Sequence, residues 1–196
     1  MRMRRIRQAE LLVIEAIVKL DENVGGKENA IESKKLISMI SDAKGMCFVI
    51  LDDNRKIVVY ITSIPISNLP DTYFKSDLLL AKEEGALYLE GLVIDPELQK
   101  NDRENGSYQA IVDNFLEEVK KEGYKKVGVH FPDGIMITLY EKLLGVKRAR
   151  TITNWAGSGV TYHYIEVSLN DHDGGEPAIV PKTPENPADS AFAEVT

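Results

Sequence analysis

The turn Arg103-Glu104-Asn105-Gly106-Ser107-Tyr108 joins a cation, a glycine and the start of an amphipathic run. Backbone N–H groups at a helix N-terminus lack partners within the helix, and the helix dipole favours negative charge there. Glycine lets that backbone approach a phosphate closely, and a neighbouring guanidinium adds charge-assisted bonds. The turn is thus a candidate anion site, although the same residues also make an ordinary helix cap. The lone Cys47 allows neither an intramolecular disulfide nor a cysteine-rich zinc site. It lies in the apolar run Met46-Cys47-Phe48-Val49-Ile50, which predicts a buried thiol.

The elements that must hold this turn are legible from periodicity. Alternation predicts a first strand over residues 2–8, and the stripe Leu11, Ile14, Val18 predicts a helix over 10–22. Asn29 and Glu32 resemble a helix-capping pair, followed by a helix that buries Leu36, Met39 and Ile40 and stops at Gly45. Residues 46–51 and 56–64 read as a hairpin around Asp52-Asp53-Asn54-Arg55. The stretch 65–85, with Pro65 and Pro70, is a long insertion that holds a short helix or a covering flap. Residues 87–94 form a strand ending at Asp95-Pro96, and a polar loop then leads to the turn. Ile111, Phe115 and Val119 place a helix over 107–122 with Gly123 as its stop. A strand over 126–131, a helix from Pro132 to Gly145 and an antiparallel pair over 148–154 and 161–169 complete an α/β domain on one central sheet.

Composition sets the limits. A chain of 196 residues, 43% hydrophobic and 28% charged, fits one domain with a full core. Residues 1–169 are expected to be that domain. The tail 170–196 carries six acids against Lys182 and half of the eight prolines, so it is expected to stay disordered. The tail accounts for most of the net charge of −7, and the near-balanced remainder gives no electrostatic reason to bind nucleic acid. Glu10 and Glu15 interrupt the first apolar stretch, and there is no run of 18 apolar residues, so the expectation is a soluble, cytoplasmic protein without a membrane span.

Over residues 2–169 the sequence resembles the GNAT superfamily of acyl-CoA-dependent N-acyltransferases. Val93-Ile94-Asp95-Pro96 is similar to the end of that family's V-x-P strand. Arg103, Gly106 and Tyr108 fall on its pyrophosphate-loop pattern, Q/R-x-x-G-x-G/A. Leu139-Tyr140-Glu141-Lys142-Leu143-Leu144-Gly145-Val146 resembles its Y-E-K-L-G-F signature. Three departures stand out: the segment from Pro96 to Arg103 is enlarged, Tyr108 replaces a small residue beside the pyrophosphate, and Leu144 is extra.

The resemblance implies a mixed, mostly antiparallel sheet flanked by helices, with acetyl-CoA or another acyl-CoA as donor and an amine as acceptor. Backbone amides from Gly106 through Ser107, Tyr108 and Gln109 to Ala110, with Arg103, would hold the pyrophosphate. Leu92, Val93 and Ile94 would line the pantetheine path, and amides near Leu92 and Val93 would polarise the thioester oxygen. Glu90 would act as general base with His130 as second candidate, and Tyr140 would protonate the departing thiolate. A non-catalytic module of the same fold that binds CoA or a protein partner is the other reading. Oligomeric state stays open, a homodimer among the options.

Overall fold

The structure is a computed structural model that describes residues 2–101, 107–134, 141 and 148–169. One sheet contains β1 (Arg2–Ile6), β2 (Met46–Leu51), β3 (Ile57–Pro65), β4 (Ala86–Ile94), β5 (Lys126–Pro132), β6 (Arg148–Ile152) and β7 (Tyr162–Ser168). Its spatial order is β1-β2-β3-β4-β5-β7-β6, with β4 and β5 parallel and every other neighbouring pair antiparallel. The helices are α1 (Leu11–Gly25), α2 (Ser33–Ser41), α3 (Asp71–Ser76), α4 (Pro96–Asn101) and α5 (Ser107–Lys121).

The pleat sends alternate side chains to opposite faces, and each face has its own cover. On one face Ile111, Phe115 and Val119 of α5 pack on Phe48, Ile61, Val127 and Val167. On the other, Ile14 and Ile17 of α1 and Leu36 and Ile40 of α2 bury Cys47, Val49 and Tyr60. Cys47 is 1% exposed, and burial pushes its thiol up to about 12, so it is a packing residue as expected.

The insertion covers the remainder of that second face. It contains α3 between two 3-10 turns, Ile66–Asn68 and Leu80–Lys82, and joins Tyr88, Ile152, Trp155 and Tyr164 in a third cluster. The short helix and the covering flap are therefore one segment.

Three local expectations are corrected. Asn29 does not cap α2: its Nδ2 donates to Gly25 O at 2.9 Å, while Glu32 makes no side-chain cap bond. Gly26, at φ 80, ends α1 and turns Asn29 back over that helix's last carbonyls. The polar loop after Asp95 is in part helical, because Asp95 Oδ1 accepts from Glu97 N at 2.9 Å and Pro96 fits a first helical position. Pro132 is the last residue of β5 rather than the first of a helix. Residues 135–140 and 142–145 of the helix expected up to Gly145, Tyr140 among them, lie outside the described residues, as do the tail from residue 170, Arg103 and Gly106.

Candidate active site

The parallel pair at the centre of the sheet is short. β4 and β5 share only Ala86↔Lys126, Leu87↔Val127 and Tyr88↔Gly128, and then part. A bulge in β4 accompanies the divergence: Thr62 faces Gly91 and Ser63 faces Leu89, leaving Glu90 as the extra residue. Such a bulge bends its strand and strengthens its twist. β5 stays paired with β7 along its whole length, from Lys126 to Pro132. At the point of parting, a Cβ on Gly128 would lie 2.1 Å from Tyr164 Oη, so only glycine lets that ring cross β5.

The open side of β4 presents backbone. Asp95 N donates to Val58 O at 2.8 Å, and amide directions alternate along an antiparallel ladder. The N–H of Val93 therefore turns to β3 and that of Leu92 into the gap. At Gly91 the missing side chain matters too, since a Cβ there would sit 3.0 Å from the buried Thr62 Oγ1. An acyl thioester laid along this gap would meet a backbone donor and a bare stretch of strand.

Beside the gap is a cleft of about 700 Å³ lined by Tyr60, Tyr73, Tyr88, Trp155 and Tyr162, with Glu90 in its wall. The Glu90 side chain is 6% exposed, and Lys35 of α2 reaches over it with Nζ 3.0 Å from Oε2. Burial pulls the Lys35 ammonium down, but the charge and hydrogen bond of Glu90 outweigh this and hold it above its usual value. Tyr73 of α3 lines the same cleft, and its phenol is pushed up by burial first and the charge of Glu90 second. Glu90 was expected from the sequence. Lys35, Tyr73 and Trp155 were not, because they come from elements whose apolar stripes or insertion character carry no sign of a site.

The other expected residues fall as follows. Ile94 is buried in the α5-side core, and Val93 packs against the α1–α2 cluster. Ser107 opens α5, and the ring of Tyr108 packs on the α5-side core. Gln109 and Ala110 are exposed on α5, where Gln109 Nε2 donates to Asp113 Oδ1 at 2.8 Å.

The chain superposes over most of its length on solved N-acetyltransferases. An aminoglycoside 6'-N-acetyltransferase in complex with coenzyme A superposes with a TM-score of 0.62 at 14% identity, over 86% of this chain and 97% of that one. An aminoglycoside 6'-N-acetyltransferase from Enterococcus faecium gives 0.59 at 12% identity, over 86% and 97%. A spermidine N-acetyltransferase variant from Vibrio cholerae gives 0.60 at 14%, over 87% and 96%. This is the GNAT fold. No family model matches the sequence, and no curated protein matches it.

Within the GNAT sheet, His130 on β5 anchors the insertion. Its side chain has no exposure and stacks on Trp155, with ring centroids 3.7 Å apart. Nε2 lies 3.2 Å from Asp77 Oδ2 and Nδ1 lies 3.0 Å from Tyr88 Oη. A carboxylate only accepts, so the neutral ring donates from Nε2 to Asp77 and accepts at Nδ1 from Tyr88. Asp77 also accepts from Arg150 Nε at 2.6 Å and from Leu79 N at 3.1 Å.

Burial first, opposed by Asp77 and aided by Arg150, lowers His130 from 6.5 to about 4. The folded chain thus takes its proton later than the unfolded chain as pH falls. The stability from a neutral His130 is complete above about pH 6.5 and is lost down to about pH 4, some 3 kcal/mol in all. Urea unfolding is expected to lose about 2 kcal/mol between pH 7 and pH 5, and a His130→Gln variant should lose much less over that interval. Asp42 and Asp95, both held low, act only below this window.

Proposed function

We propose that the protein transfers an acyl group from acyl-CoA to a primary alkylamine. The observation that carries this reading is the Lys35–Glu90 contact: an alkylammonium rests on a buried carboxylate beside the opened strand pair. An acyl-CoA supplies an activated thioester; the chain supplies position, a proton acceptor and a backbone donor. A primary amine is mostly protonated at neutral pH, and Glu90 is placed to take its proton. The Leu92 amide faces the gap where negative charge would grow on the thioester oxygen. Tyr140, from its sequence position, is proposed as the acid for the leaving thiolate. His130, wholly buried with both nitrogens committed, serves in this reading to hold the cleft's wall.

The cleft supports a cationic acceptor. Asp21, Glu32 and Glu90 line it against one cation, Lys35, and aromatic faces attract ammonium groups. A short acyl chain, acetyl in the simplest case, is supported by the void between β4, β5 and α5. That void has room for about 20 Å³, roughly one water or methyl group.

Calorimetric titration with acetyl-CoA tests the reading, followed by transfer assays on a panel of alkylamines. Binding is expected, and Arg103→Ala should weaken it by about 1–3 kcal/mol, as for a charged hydrogen bond. Absence of binding overturns the proposal. Binding without transfer to any amine would leave a CoA-binding module instead.

A further inference from the structure

We propose that Lys35 is itself an acceptor of this site, and that the chain places one acyl group on its own Lys35 Nζ. The inference rests on the acyl-transfer reading above. Among the described residues, Lys35 is the lysine lining the cleft, and its Nζ already makes the contact with Glu90 that an incoming amine must make. Other paired lysines, such as Lys56 with Asp95 and Lys121 with Glu118, do not line this cleft.

Reach is sufficient. Glu90 and Leu92 are two residues, about 7 Å of strand, apart on β4, so the carboxylate that holds Nζ and the amide that faces the gap share one short stretch of backbone. Lys35 is fixed to α2 only by its backbone, and its side chain is 53% exposed, which leaves the four-carbon stem room to swing. Its amine needs no association step, because the fold holds it at the site at high effective concentration.

The step balances without any further reagent than the thioester. Glu90 takes a proton from the Lys35 ammonium, and the Nζ lone pair forms a bond to the thioester carbonyl carbon. The carbon–sulfur bond breaks, the second proton shed by the acylated nitrogen goes to the thiolate, which leaves as a thiol, and Glu90 returns its proton to solvent. The product is an amide on Lys35, which has lost its charge and can no longer pair with Glu90. Each chain reacts once. The ion pair must be given up first, so the event is slow beside turnover of a free amine.

The test is incubation of the full chain with acetyl-CoA and no added acceptor, followed by intact mass and peptide mapping. One acetyl group is expected, on the peptide bearing Lys35, at a rate independent of protein concentration. A saturating alkylamine should slow the labelling. Lys35→Arg should abolish it, and Glu90→Gln should reduce it to the level of surface lysines such as Lys121. The inference falls if the protein acylates added amines while Lys35 stays unmodified. It falls equally if Lys35 is labelled no faster than Lys121, or if the rate rises with protein concentration. A protein that neither binds acetyl-CoA nor acylates any amine would sink the acyl-transfer reading and this one with it.

Discussion

Glu90→Gln is expected to lower kcat for alkylamine acylation by about 10²-fold or more while leaving acetyl-CoA affinity and folding intact. Glutamine keeps the shape and a hydrogen-bond acceptor at the bulge, so Lys35 keeps a partner. It cannot take a proton. The loss should therefore depend on the acceptor. Hydroxylamine and methoxyamine are largely unprotonated at neutral pH and need little help from a base, so they should lose far less than an alkylammonium. Steady-state kinetics on both kinds of acceptor separates the roles. An equal loss for both would mean that Glu90 binds or positions, and full activity would place the proton acceptor elsewhere.

Asp77→Ala is expected to destabilise the fold by about 3–5 kcal/mol, a large part of the 5–15 kcal/mol that holds a typical domain together. The Asp77 side chain is 3% exposed, and it stands between Arg150 and His130 with the insertion's own backbone as a further partner. Its removal leaves the Arg150 guanidinium, itself 17% exposed, without its closest counter-charge. Glu83, 3.5 Å from Arg150 Nη1, compensates only in part. The cost comes from the stranded charge, so removing both partners should cost less than removing one. Urea unfolding of Asp77→Ala, of Arg150→Met and of Asp77→Leu combined with Arg150→Met decides this. A double variant no more stable than Asp77→Ala would assign the loss to packing.

Much of the fold was legible because its signals are local. The hairpin of β2 and β3, the strand β4, the helix α5 with Gly123 behind it, and the pair β6 and β7 all follow from alternation, stripes and turn residues. Glu90 was legible only through the resemblance, and the bulge that sets it in the cleft wall was not, since a bulge arises from pairing with β3. The aromatic wall was hidden for the same reason: Tyr73, Tyr88 and Trp155 are far apart in the chain and meet only after the insertion folds over β5. Short-range capping misled twice. Asn29 found α1's last turn closer than α2's first, and Asp95-Pro96, read as a strand's end, also starts α4. His130 looked like a base at a strand end, yet the charge that fixes it sits on Asp77, in a segment whose sequence offered two readings.

The three-rung contact between β4 and β5 also governs how the molecule comes apart. β1 to β4 form one raft of antiparallel ladders, and β5, β7 and β6 form a second. Between the rafts the backbone supplies few bonds, and α5 is the clasp, because Phe115 and its neighbours lie across strands of both. Local opening follows such units rather than the whole sheet. Amides at the ends of the seam, from Glu90 onward, belong to the weakest part of the sheet, whereas those of β2 and β3 are shielded by ladders on either side. A molecule arranged in this way can breathe at its middle without melting at its edges, and the place where it breathes is the place where a ligand would enter.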